Sequence, residues 1–129
     1  VSIINCMDTV IVPIAADKVI LESSLAFALK IQEWLTTGQS YVKQMFLLWN
    51  LVDAREKTDL YDQYEAVFEE YGLQTMQTKI PDTKKYRREG SKTLNRAVFR
   101  STVMPPDRML LKGTRLPELA DELLHILKR

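Results

Sequence analysis

The sequence predicts an α/β fold: three layers, with a mostly parallel sheet flanked by helices. Three observations carry that prediction. Short apolar, β-branched runs alternate with longer stretches whose apolar residues recur every three or four positions. The connections between them are short. Two of the short runs lack the alternation of a half-exposed strand and read as strands buried on both faces. The chain has 129 residues, 46% of them hydrophobic and 27% charged, which fits a single domain with one core.

The elements follow in order. Asp8-Thr9 leads into Val10-Ile11-Val12-Pro13-Ile14, a buried strand that Pro13 is expected to end. Leu21 to Leu35 reads as a helix, with Leu21, Leu25, Ala28, Leu29, Gln32 and Leu35 at helical steps. Phe27, Ile31 and Trp34 widen its apolar surface, so it is expected to be well buried, and Thr36-Thr37-Gly38 closes it. Met45-Phe46-Leu47-Leu48-Trp49 is too short for a helix and reads as a central parallel strand ending at Asn50. After a polar loop, Thr58 is placed to cap a helix with Asp59 and Asp62 in its first turn. Leu60, Tyr64, Val67, Phe68 and Tyr71 form its apolar stripe, and Gly72 stops it.

Leu73 to Ile80 reads as a third strand, near an edge because it alternates in part, and Pro81-Asp82 ends it. Asp82 or Thr83 is placed to cap a short basic helix through Lys84–Glu89, broken at Gly90. Residues 91–115 form an irregular basic segment. Leu116-Pro117 opens a last helix with Glu118 and Asp121 in its first turn, and Leu119, Leu123, Ile126 and Leu127 on its core face.

Several function classes fall away. Cys6 is the single cysteine, so no internal disulfide is available, which suits a reducing, cytoplasmic setting. No apolar stretch approaches the ~18 residues of a membrane span. The first residues lack the basic start of a signal peptide. The chain opens without Met and enters a strand-like run at once, so a processed or truncated chain is expected. Asp8, Asp17 and Asp53 sit on different strand ends, so no metal site is expected. His125, the only histidine, lies in the last helix with no nucleophile at a fixed spacing, so no catalytic residue is assigned. Cys6, Trp34, Trp49, Met45, Met76, Met104 and Met109 read as core.

Net charge is +1, but it is unevenly placed. Residues 1–75 carry five Lys/Arg against eleven Asp/Glu, and residues 76–129 carry thirteen against six. Eleven basic residues and three acidic ones lie between Lys79 and Arg115, a footprint for a phosphate-rich partner or a solvated face that balances the acidic first part. In parallel α/β sheets ligands bind at the carboxyl ends of strands, which points to Pro13–Asp17, Asn50–Arg55 and Pro81–Lys85.

Those three strand ends carry a pattern. Asp8-Thr9-Val10-Ile11-Val12-Pro13-Ile14 resembles the "aD-x-v-i-i-P" strand of ParA/MinD-type P-loop ATPases, with Met7 where the family has alanine. Asn50-Leu51-Val52-Asp53-x-Arg55 is similar to the family's "N-r-v-d-x-r". Thr78-Lys79-Ile80-Pro81-Asp82, with Tyr86 and Arg87-Arg88-Glu89-Gly90-Ser91 after it, is similar to "t-x-I-P" and "y-x-e-A-x-s". The spacing agrees over about 90 residues, and the leucine-rich last helix also suits the family. The stretch Phe99–Gly113 is similar to ParA-like proteins of conjugative elements.

The resemblance implies a partial ParA/MinD-like P-loop NTPase fold, the C-terminal half of an ATPase that works in DNA partition or conjugal transfer. Asn50, Ile80, Pro81 and Asp82 match positions around the adenine of ATP. Asn50 offers both a donor and an acceptor to the N6/N7 edge. Lys84, Lys85, Arg87 and Arg88, extended by Lys92, Arg96 and Arg100, match a surface for sequence-independent DNA binding, whose affinity falls steeply with salt. The intact protein is expected to use ATP and Mg²⁺, to form a homodimer, and to meet a partition or transfer partner. A phosphate loop, G-x-x-x-x-G-K-[ST], is missing. Gly38, Gly72, Gly90 and Gly113 are the only glycines, and none directly precedes a lysine. Neither tight ATP binding nor hydrolysis is therefore expected of these 129 residues alone. Two other classes fit the same composition: a non-catalytic α/β interaction or adaptor domain, and a DNA-binding protein with no nucleotide function.

Overall fold

The structure is a computed structural model that describes residues 7–38, 41–53, 55, 58–83 and 111–128. The elements are β1 (Thr9–Ile14), α1 (Lys18–Thr37), β2 (Gln44–Trp49), α2 (Thr58–Glu70), β3 (Gln74–Thr75) and α3 (Leu116–Leu127). The three strands are parallel in the order β1-β2-β3. β1 pairs along its whole length with β2, from Thr9 opposite Gln44 to Ile14 opposite Trp49. Only Phe46 and Leu47 of β2 pair with Gln74 and Thr75 of β3. The α/β expectation holds at this level.

Both crossovers step in the same direction along the sheet. Right-handed connections then put α1 and α2 on one face. The core divides accordingly. Val12 and Ile14 of β1 and Met45, Leu47 and Trp49 of β2 pack with Leu21, Ala28 and Ile31 of α1 and Tyr61 and Phe68 of α2. The alternate residues Ile11, Phe46 and Leu48 meet Met76 and, from α3, Leu119, Leu123 and Ile126 on the other face. Trp49 is fully buried, with Tyr61 edge-on to it at 4.8 Å and Phe68 at 5.8 Å.

The helix ends follow the usual chemistry. Asp17 caps α1, its carboxylate accepting the amides of Val19 (3.0 Å) and Ile20 (3.1 Å). Gly38 ends α1 with φ 69°, and its N–H donates to the Trp34 carbonyl.

Several expectations need correction. α1 runs from Lys18 to Thr37, longer than Leu21–Leu35, and it is not well buried: Phe27 is 45% and Leu29 38% exposed, because one stripe of the helix meets the sheet. On α2 the buried aromatics are Tyr61 and Phe68, while Val67 and Tyr71 of the expected stripe face outward. Leu127 of α3 is likewise exposed. Pro13 does not end β1, which continues to Ile14. The carbonyls of Asp8 and Ile14 accept amides from the β2 side, so alternate residues face β2 and the missing N–H of Pro13 falls on the other side.

The largest correction concerns the third strand. Leu73–Ile80 is not one continuous strand. The ladder stops after Thr75 and reappears as a single parallel bridge between Val52 and Pro81. Met76 N–H still donates to the Leu47 carbonyl (2.8 Å), but the next β2 carbonyl facing it, that of Trp49, receives the amide of Ile80 (2.9 Å). In an unbroken parallel ladder that donor would be Thr78. The chain therefore makes a two-residue detour. The expected basic helix through Lys84–Glu89 and most of the 91–115 segment lie outside the described residues, as do Cys6, Met104 and Met109.

Candidate ligand-binding edge

The carboxyl ends of β1 and β2 and the chain after β3 meet at one rim. Asn50 N–H donates to the Ile14 carbonyl at 2.7 Å and carries the β1–β2 pairing one residue past the strands. Leu51 then takes a left-handed conformation, φ 54°, which costs a non-glycine residue about 1 kcal/mol. The bend aims Val52 at the third strand. Val52 N–H donates to the Ile80 carbonyl (3.0 Å), and Asp82 N–H donates to the Val52 carbonyl (3.0 Å). Asn50, just past β2, and Ile80, Pro81 and Asp82, in the chain beyond β3, are thus brought to one rim.

Their environments differ. Ile80 is buried and fixes the rim from below. Pro81 is half-buried and Asp82 is exposed. Asn50 is half-buried, and its carboxamide makes no hydrogen bond to another described residue. Beyond it, Asp53 is tied locally: its Oδ1 accepts the Arg55 backbone N–H (2.9 Å) and Nε (3.2 Å), and its Oδ2 accepts an Nη at 3.3 Å. The Arg55 backbone N–H, then its guanidinium, hold the Asp53 carboxyl below its ordinary value, and Asp53 raises Arg55 in turn. This pair is committed to shaping the turn.

A groove of about 530 Å³ lies between α2 and the β3 segment, and one of about 710 Å³ between that segment and α3; neither is lined by Asn50, Pro81 or Asp82. Among the described residues no group of three or more His, Cys, Asp or Glu could hold a metal ion. Among them also, no helix is long and apolar enough to cross a membrane. Lys84, Lys85, Arg87, Arg88, Lys92, Arg96 and Arg100 lie outside the described residues.

Two carboxylates behind the rim were not singled out from the sequence. Glu122 of α3 accepts the amides of Gln77 (2.7 Å) and Thr78 (2.8 Å), the two residues of the detour. Burial works against its ionisation, but the Gln77 amide, the Thr78 hydroxyl and the Thr78 amide outweigh it and lower its pKa. Glu65 of α2 accepts the Trp49 indole N–H (3.0 Å) and faces the Lys79 ammonium at 3.5 Å. A signal for both was present. Glu122 stands three residues after Leu119 and four before Ile126, and Glu65 four after Tyr61 and three before Phe68. Each is an acid on an apolar stripe, where a charge needs partners.

Comparison with family profiles, curated proteins and solved structures returned no match.

Proposed function

We propose that this chain supplies the base-binding edge of a ParA/MinD-like ATPase that handles DNA, with the phosphate-binding machinery lying outside these 129 residues. One observation supports the reading above the others: the Val52–Pro81 bridge sets the N-L-V-D and I-P-D segments side by side at the carboxyl edge of the sheet. That is the edge where parallel α/β sheets take ligands.

The chemistry suits an adenine. The Asn50 carboxamide carries a donor and an acceptor not engaged by other described residues, the pair that N7 and the N6 amino group require. Pro81 offers a rigid apolar flank, and Ile80 holds it in place through two ladder bonds. No residue here is given a role in bond cleavage. The basic residues Lys84, Lys85, Arg87, Arg88, Lys92, Arg96 and Arg100 are proposed to neutralise DNA phosphates without reading bases.

Photolabelling tests the nucleotide part. Irradiation of the chain with 8-azido-ATP is expected to label residues 50–53 or 80–83, with ATP competing better than GTP. Labelling that is scattered over the chain, or equally displaced by GTP, removes the reading.

A further inference from the structure

We propose that Glu122 is a positioning residue: by holding the two-residue detour, it determines that Pro81 rather than Lys79 stands at the ligand-facing rim. The proposal rests on the reading of that rim as a nucleotide site, but its structural part can be tested separately.

The hydrogen bonds define the alternative. Trp49 O takes Ile80 N–H, and Val52 exchanges bonds with Ile80 and Asp82. If Gln77 and Thr78 joined a regular ladder, Thr78 would donate to Trp49, and Lys79 would come opposite Val52. The chain would advance by two residues, about 6.6 Å, and carry Pro81 and Asp82 past the rim. The two registers put the same sides of the chain toward each sheet face, because the shift is even. Alternation of apolar residues therefore does not choose between them.

Something else must, and the detour shows what. Straightening removes the Gln77 and Thr78 amides from one carboxylate that now accepts both, at 2.7 and 2.8 Å. Charge-assisted bonds of this kind are the stronger class. The carboxylate is itself fixed, since Leu119, Leu123 and Ile126 seat α3 against Phe46 and Met76. Lys79 is held on the other side by Glu65, which also anchors to Trp49. A helix from each layer thus grips the detour, and the seat of α3 is transmitted to Ile80-Pro81-Asp82.

Amide hydrogen exchange on the full chain tests this, comparing Glu122→Gln, Glu122→Ala and, as a control in the first turn of the same helix, Glu118→Gln. The amides of Val52, Ile80 and Asp82 report the register, and the Asn50 amide, bonded to Ile14, reports the β1–β2 pairing. In Glu122→Gln we expect Val52, Ile80 and Asp82 to exchange at least ten-fold faster beyond any change at Asn50, with the Glu118→Gln control unchanged. Protection within two-fold of wild type at Ile80 and Asp82 in both Glu122 variants overturns the proposal. So does an equal loss at Asn50, which would mean general destabilisation. Should Glu122→Ala fail to fold, Glu122→Gln decides, since it keeps one acceptor and the side-chain volume. A wild-type chain that ignores adenine nucleotides but passes the exchange test would remove the nucleotide reading and leave the register role standing.

Discussion

Removing the Glu122 carboxylate should cost stability out of proportion to its position on the helix surface. Two backbone amides lose their acceptor in Glu122→Ala. Gln77 is exposed, so water replaces the lost bond there at little cost. Thr78 is buried at 5% exposure, and a buried donor left unpaired costs about 1–3 kcal/mol. With the remaining net value of a charge-assisted bond, the total is about 2–4 kcal/mol for Ala and about half that for Gln. Urea unfolding monitored by tryptophan fluorescence measures it. The pH dependence has a definite sign. The folded pKa of Glu122 is lowered, so its contribution is present above the ordinary glutamate range and is lost as pH falls through the folded value. The neighbours lining the same groove are Arg115, Glu118, Asp121 and His125. Wild type should lose its advantage over Glu122→Gln on acidification below the ordinary glutamate range. A Glu122→Ala cost under about 0.5 kcal/mol at neutral pH, the scale of ordinary surface changes, would mean that the Gln77 and Thr78 amides do not depend on this carboxylate.

Two further outcomes are expected. Phe68 is fully buried and packs against both Trp49 and Tyr64, so Phe68→Ala should cost about 3–5 kcal/mol in the same unfolding assay, against under about 0.5 kcal/mol for the exposed neighbour Val67→Ala. Changing Lys84, Lys85, Arg87 and Arg88 to Glu should abolish retardation of unrelated DNA duplexes at low salt. Binding that survives the change, or that ignores salt, would contradict phosphate neutralisation.

Most elements were legible because each carries its own periodicity. The strands β1 and β2 are continuous apolar runs, and the helices announce themselves by stripes and by Gly38, Gly72 and Pro117 at or near their ends, whereas Asp17, the cap of α1, was not read as one. Which residues of a stripe face the core was less legible. Phe27 and Val67 are apolar and helical, yet only the sheet's position decides that they face outward. The break in the third strand was illegible locally. Gln77 and Thr78 have no turn chemistry of their own, and the group that holds them out is Glu122, more than forty residues away. That the N-L-V-D and I-P-D segments come together at one edge was legible from their places at strand ends, and the Val52–Pro81 bridge joins them. The support behind it was not, because Glu65 and Glu122 look like ordinary surface acids until their stripe positions are counted.

The rim formed by Asn50 and Ile80-Pro81-Asp82 is proposed to recognise adenine. Mapping of amide chemical shifts at millimolar ATP and GTP tests it most directly, because it detects weak binding and names the residues. ATP should move the amides of Asn50, Val52, Ile80 and Asp82, GTP should move them much less, and Asn50→Ala should remove the difference. Shifts confined to the grooves that flank β3 on the α2 and α3 sides, or equal responses to both nucleotides, would contradict it.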